Sequence, residues 1–273
     1  MPDATAYVMG HDDRERRRLL LQASILNPLT EQLFHRAGIT PGMRVLDIGC
    51  GVGDVSLLAA RLVGRYGSVT SVDIDPAALE ILEGRASAEG VHHIECIQSD
   101  IHGWKPDRRF DAVVGRHILI HSRDPLALVR DAAALLHGRG LAVFHEYDFS
   151  VVHRGWPPTP LRDRLMDVFD RFFARAACSN IGSRLWTILQ DAGFESPDCR
   201  AEYPISGGSD SVYYEWITES FRSIQARAIA QGIVAEGEFD VDTLEQRMRE
   251  EATAGHSCIP APAMVGAFAR LRA

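Results

Sequence analysis

The residues with chemical potential fall into two groups. In the first, Asp47, Gly49, Gly51 and Gly53 occupy alternate positions of Val45-Leu46-Asp47-Ile48-Gly49-Cys50-Gly51-Val52-Gly53-Asp54. Glycine takes up the positive φ of a tight turn and lets a ligand approach the backbone. A carboxylate just ahead of it can hold an ammonium group through charge-assisted hydrogen bonds. In the second group are His117, His121 and His145, the last followed by the acids Glu146 and Asp148. Histidine suits proton removal near neutral pH. This group therefore reads as the place where a hydroxyl or weakly acidic carbon loses its proton, with His117 the first candidate, His121 the second and His145 the third. The competing readings are that His117 only shapes a pocket and that His121 caps the helix after it. Two acids at the spacing of Glu146 and Asp148 suit a hard cation, but the pair is too little to define a metal site.

These residues need elements to hold them. Met43 to Ile48 is mostly apolar and has the length of a buried parallel strand; Val55 to Leu62 reads as the helix after the glycine turn, and its N-terminus offers unpaired N–H groups. Ser68 to Asp73 reads as a second strand ending in an acid about 20 residues after Gly51, the distance at which such an acid meets a ribose. The alternative is that Asp73 or Asp75 only caps the helix starting at Pro76; Asp75 is assigned to the cap and Asp73 to the ribose. His93–Asp100, Phe110–His117 and Leu141–Glu146 supply the third to fifth strands. Alternation of strand and helix from Gly42 to Tyr147 predicts a parallel sheet covered on both faces. Ligands then sit beyond the carboxyl ends of the strands, which places Arg116, His117, His121, His145, Glu146, Tyr147 and Asp148 at the reacting centre or its rim.

The ligand is narrowed by the spacing. A dinucleotide fingerprint is G-x-G-x-x-G, whereas here position 54 is Asp54 and the third glycine comes early. The D-x-G-x-G-x-G pattern, followed in order by the strands ending at Asp73, Asp100 and Arg116-His117, resembles class I S-adenosylmethionine-dependent methyltransferases of the small-molecule type. The resemblance is good over about residues 40 to 150 and holds only in outline elsewhere. It implies an α/β fold, a doubly wound, mostly parallel seven-stranded sheet of Rossmann-like type, with an N-terminal helical lid and a helical cap insert. It implies that Asp47, Gly49, Cys50, Gly51 and Gly53 surround the methionine end of the cofactor. Asp73 would meet the ribose, Asp100 and Ile101 would flank the adenine, and Ile74 and Arg116 would also contact the cofactor. Tyr7, Met9, His11 and Gln22 would close over it from the lid, an ordinary packing arm being the rival reading. Arg116-His117-Ile118-Leu119 stands where amino-methylating nucleic-acid enzymes of this superfamily carry N/D-P-P-Y/F. The implied reaction is in-line methyl transfer to a small, at least partly apolar acceptor, leaving S-adenosylhomocysteine. A nicotinamide-dependent oxidoreductase and a non-methylating S-adenosylmethionine binder or cyclase are the alternatives.

The chain has 273 residues, 46% hydrophobic and 24% charged, ordinary globular usage with enough apolar residues for a sizeable core. Its net charge of −8 argues against nucleic acid as a partner, and the arginines from Arg14 to Arg18 are interrupted by Glu15 and read as a solvated face. The five cysteines form no C-x-x-C pair, which fits a reducing, cytoplasmic compartment. No apolar run reaches membrane length and the start has no signal-peptide pattern; a homodimer is compatible with the sequence. The expected organisation is a lid over 1–40, a core over 41–207 and 256–273, and a cap over 208–255. In detail, helices over Arg14–Leu26 and Leu29–Ala37 are separated by a break at Asn27-Pro28, and Gly138–Gly140 ends the fourth helix. Leu161–Ala177 carries a core face of Leu165, Val168, Phe169, Phe172 and Phe173, and Ser183–Ala192 is the next sheet-covering helix. Cys199–Ile205 is the sixth strand, residues 211–252 are helical, and Met264–Leu271 is a final edge strand.

Overall fold

The computed structural model describes residues 13–176 and 178–273. The chain divides into two compact units. One comprises Leu26–Tyr147, Ile181–Ala201 and Met264–Ala273; the other comprises the segment up to Ile25, Asp148–Asn180 and Glu202–Ala263.

The first unit is built on a seven-stranded sheet. Its strands are β1 (Arg44–Ile48), β2 (Ser68–Asp73), β3 (Ile94–Gln98), β4 (Phe110–Arg116), β5 (Leu136–Asp148), β6 (Phe194–Glu202) and β9 (Ala263–Leu271), in the order β3-β2-β1-β4-β5-β9-β6. β1 runs parallel to β2 and β4, β2 to β3, and β4 to β5. The chain steps outward from β1 to β3 and then returns to β4 on the other side of β1. That reversal opens a crevice at the carboxyl ends of β1 and β4. Helices α2 (Asp54–Val63), α3 (Pro76–Ala88), α4 (Pro125–Ala134) and α6 (Ile181–Asp191) connect the strands. Asp75 and Asp124 each accept a backbone N–H at a helix start with proline at the first position, so α3 and α4 begin where their sequence signals stand. Val45, Val69, Val114, Leu141 and Val143 of the sheet bury with Val55, Leu58 and Val63 of α2 and with Leu33 and Phe34.

Several elements depart from the sequence expectation. Helix α1 (Asp13–Ala37) runs unbroken through Pro28. Proline removes one N–H and crowds the carbonyl four residues back, but Leu26, Thr30, Leu33 and Phe34 are buried along the helix and Thr30 Oγ1 donates to the Leu26 carbonyl at 3.0 Å. Tertiary packing thus outweighs one lost bond. β5 begins at Leu136 rather than after the glycines: Leu136 pairs with Phe110, the register then slips, and Leu141 pairs with Ala112. Gly138 and Gly140, with Arg139 at φ 63° between them, make a bulge inside the strand instead of a helix end. β6 ends at Glu202 because Pro204 cannot donate to a ladder; β7 (Ile205–Gly207) pairs antiparallel with β8 (Cys258–Pro260) in a separate two-stranded sheet. β9 is interior, between β5 and β6, and not an edge. Its consecutive residues Ala263 to Ala267 are all buried, so both faces are covered, and a Cβ on Gly266 would lie 2.9 Å from Leu33.

The second unit contains α5 (Pro160–Ala176), α7 (Tyr213–Ala230), α8 (Val241–Ala254), β7, β8 and the first turns of α1. Leu165, Val168, Phe169, Phe172 and Phe173 are all buried, and Phe149 stacks on Phe169 and Phe173 at 5.5 and 5.0 Å, so the apolar face of α5 is a core face. Arg14 and Arg17 pair with Glu219 and Glu215 of α7. Among the described residues no helix is long and apolar enough to cross a membrane.

Candidate functional site

The glycine turn leaves β1 with φ of 64° at Gly49, 53° at Gly51 and 89° at Gly53. A Cβ on Gly49 would stand 2.3 Å from Ile118 Cδ1, and one on Gly53 2.1 Å from Leu82 Cδ1. Around Gly51 there is no atom within 4 Å of that position. Two glycines are therefore required by packing, while the third leaves its backbone open. The turn is tied to β2: Gly49 N–H donates to the Val72 carbonyl at 2.8 Å, and Gly51 N–H donates to Asp73 Oδ2 at 2.8 Å. Asp73 Oδ1 accepts from Asp75 N–H at 3.0 Å, and the Asp73 carbonyl accepts from Ser99 N–H at 3.0 Å. Gly49–Gly53, Asp73, Ile74, Asp100 and Ile101 are thus drawn to neighbouring strand ends. Ile74 is 48% exposed, Asp100 is exposed and accepts from His102 N–H, and Ile101 is buried.

Behind the turn lies a layer of buried charge. Asp47 accepts from Ser56 Oγ at 2.6 Å, and Ser71 Oγ donates to Ser56 Oγ at 2.8 Å. Burial pushes the Asp47 carboxyl up to about 7, against the pull of Ser56 and Arg116. The Arg116 side chain is turned into the protein, donating to Asn27 Oδ1 at 2.9 Å and Thr30 Oγ1 at 3.0 Å and standing 3.8 Å from Asp54. Asp54 also takes Arg85 at 2.8 Å, and Arg85 donates to the Val52 carbonyl. The acid in place of a fingerprint glycine therefore staples the turn to α3 and β4. Cys50 is buried within the loop, which pushes its thiol up and leaves no nucleophile there.

The histidines separate by environment. His145 is 3% exposed and its Nδ1 lies 3.0 Å from Thr30 Oγ1. Thr30 has one O–H, given to Leu26, so Nδ1 carries the proton and donates. Burial, aided by Arg116, holds the His145 pKa down to about 3. It is a neutral packing residue, which removes it as the third candidate base. Glu146 and Asp148 do not stand at a rim either. Glu146 is 0% exposed and accepts the N–H groups of Ile118, Leu119 and Ile120 at 3.0, 2.9 and 3.2 Å; Asp148 is buried and accepts from Ser150. His117 is half-buried just past β4. Its N–H donates to the His145 carbonyl at 3.1 Å, its ring stacks on Tyr147 at 4.0 Å, and its Nε2 lies 3.5 Å from Met264 Sδ. His121 is half-buried at the end of the turn after it, and Asp124, not His121, caps α4. Gln22 is buried and accepts from Arg18 at 2.9 Å; Tyr7, Met9 and His11 lie outside the described residues. Ser56, Thr30, Glu146 and Met264 escaped the sequence reading in these roles. A lone serine on the apolar helix Val55–Leu62 was the available signal for the first; the others depend on contacts distant in sequence.

The family model described as a methyltransferase domain matches residues 14–196, and the chain belongs to that family. Among relatives, it is 35% identical over 125 residues to the aklanonic acid methyltransferase DauC of Streptomyces sp. (strain C5), covering 45% of this chain and 56% of the relative. It is 35% identical over 117 residues to a ubiquinone biosynthesis O-methyltransferase of Xanthomonas campestris pv. campestris (strain B100), covering 42% and 47%. The chain spans about half the length of these curated relatives. A solved SAM-dependent methyltransferase from Aquifex aeolicus shares the fold at TM-score 0.54 and 16% identity, covering 96% of this chain and all of that one.

Proposed function

We propose that this chain transfers a methyl group from S-adenosylmethionine to a small, at least partly apolar organic acceptor. The observation that carries the reading is the open backbone at Gly51, tied by its N–H to the Asp73 carboxylate. The family membership supports it, and the two relatives' names speak of aklanonic acid and of ubiquinone biosynthesis. When bound, S-adenosylmethionine supplies an electrophilic methyl on sulfur. Gly49 and Gly51 lend backbone to its methionine end, and the ionised Asp47 lends negative charge at the base of the turn to the ammonium. Asp73 spends one lone pair of each oxygen on the loop and keeps others for ribose hydroxyls. Ile74 offers exposed apolar surface, with Asp100 and Ile101 beyond it, for the adenine. His117 takes the acceptor's proton, with His121 second; alignment of acceptor and methyl supplies much of the acceleration. Asp54 speaks against a dinucleotide, since a paired, buried carboxylate stands where a pyrophosphate loop needs glycine.

The test is calorimetric titration with S-adenosylmethionine, S-adenosylhomocysteine and NAD on wild type and Asp73→Asn. Micromolar binding of the first two, weakened at least about tenfold by the substitution, is expected from loss of a charged acceptor. Binding of NAD alone overturns the reading. Incubation with labelled donor and a panel of phenols, indoles and amines then identifies the acceptor class and separates an enzyme from a binder.

A further inference from the structure

His117 is the one non-glycine residue of the strand ends at this site held at positive φ, 57°, and the residues that hold it are consecutive. The His145 carbonyl accepts its N–H, Glu146 accepts the next three N–H groups of the turn, and Tyr147 stacks on its ring. A backbone conformation that L-residues avoid persists only where the surroundings over-determine it. Here a single buried carboxyl group does most of that: Oε1 takes Ile118 and Leu119, and Oε2 takes Ile120. Glu146 contacts the turn and not the crevice, and it is fully buried. The ring is fixed by a further contact. Met264 Sδ can only accept, so its 3.5 Å contact with Nε2 favours the tautomer with the proton on Nε2, which leaves the lone pair on Nδ1.

We propose that Glu146 is a positioning residue, locking the Ile118–Ile120 turn so that His117 is presented in one orientation, as the Nε2–H tautomer with Nδ1 the basic atom. This rests on the assignment of His117 as the base. Glutamine does not replace Glu146: it keeps one acceptor oxygen but sets an amide N–H group against Ile120 N–H, where the carboxyl offers an oxygen lone pair in either protonation state.

The experiment uses the full chain labelled with 15N-histidine, the His117 ring signals being assigned by their loss in His117→Gln. In wild type the ring nitrogens report one dominant tautomer with the proton on Nε2. In Glu146→Gln the two tautomers come within about threefold of each other, while S-adenosylhomocysteine affinity stays within about threefold of wild type. A lower melting temperature with unchanged His117 signals overturns the positioning role and leaves Glu146 merely structural. Since a buried carboxyl substitution can block folding, Met264→Leu gives a second arm: it removes the sulfur acceptor and leaves the Glu146 bonds intact. Loss of the Nε2–H preference supports the assignment of Nδ1, and an unchanged tautomer overturns it. Failure of wild type to bind S-adenosylhomocysteine counts against the cofactor reading alone, because the tautomer is read without ligand.

Discussion

Gly49, Gly51 and Gly53 share one sequence pattern and meet three different surroundings. Placing alanine at 49 or 53 adds a methyl group into Ile118 or Leu82 as well as the strain of positive φ. Overpacking of this kind costs about 1–3 kcal/mol, with roughly 1–2 kcal/mol more for the left-handed backbone. Gly51→Ala bears only the backbone strain. Denaturant unfolding should therefore show Gly49→Ala and Gly53→Ala markedly less stable than Gly51→Ala, while calorimetry shows Gly51→Ala losing S-adenosylhomocysteine affinity. Wild-type affinity in Gly51→Ala would mean the ligand does not approach that backbone. Asp47 gives a second prediction at this scale. With its carboxyl raised to about 7, a nearby ammonium favours the ionised form, so binding expels a proton at neutral pH. Affinity should rise from pH 6 to 8, by up to about tenfold per unit below the raised pKa. Heats measured in two buffers of different ionisation enthalpy would show proton release, which Asp47→Asn abolishes. The motif and its acids were legible because a tight turn and a strand end dictate residue type locally. The buried pairing of Arg116 with Asn27, Thr30 and Asp54 was not, because its partners come from two other elements, α1 and α2, distant in sequence.

At the scale of elements, strand and helix starts followed local signals and were read correctly at β2, α3 and α4. The misread places are those where tertiary packing overrides a local rule. Pro28 should break α1 and does not; glycines at 138 and 140 should end α4 and instead bulge β5; a strand near the chain's end should be an edge and lies inside the sheet. Sequence patterning carries periodicity, not the identity of the neighbour that covers a face. The α1 case is testable. Proline in a helix interior costs about 3 kcal/mol relative to alanine, partly offset by its restriction of the unfolded chain. Pro28→Ala restores an N–H to face the Ser24 carbonyl, so urea unfolding should show it more stable by on the order of 1–3 kcal/mol. A loss of stability would mean that the proline ring makes packing contacts worth more than the missing bond.

For the molecule as a whole, the first boundary between the two units has no mark in the sequence, since it falls within the continuous helix α1. The described glycine turn, the acids around it and the histidine turn all belong to the sheet unit, and that unit also carries the buried ionisable groups that set its response to pH. Glu146 is raised to about 8 by burial, which outweighs its three backbone hydrogen bonds, and Asp47 to about 7. As pH rises above the ordinary carboxyl range, the unfolded chain releases these protons while the folded chain keeps them, so stability falls until the folded values are passed. His145 acts in the opposite direction: held to about 3, it stays neutral while the unfolded histidine takes a proton, so stability falls as pH drops from 6.5 toward 3. Between pH 4.5 and 6.5 the two effects oppose each other, and above 6.5 only the carboxyls remain. Each retained proton is worth about 1.4 kcal/mol per pH unit, so Glu146 alone should remove on the order of 2 kcal/mol between pH 6.5 and 8.5. Urea unfolding at those two values should show this alkaline loss in wild type, diminished in Glu146→Gln and unchanged in His145→Asn, whereas His145→Asn should flatten the acid side. An alkaline loss as large in Glu146→Gln as in wild type would place its source in groups other than the carboxyl that holds the His117 turn.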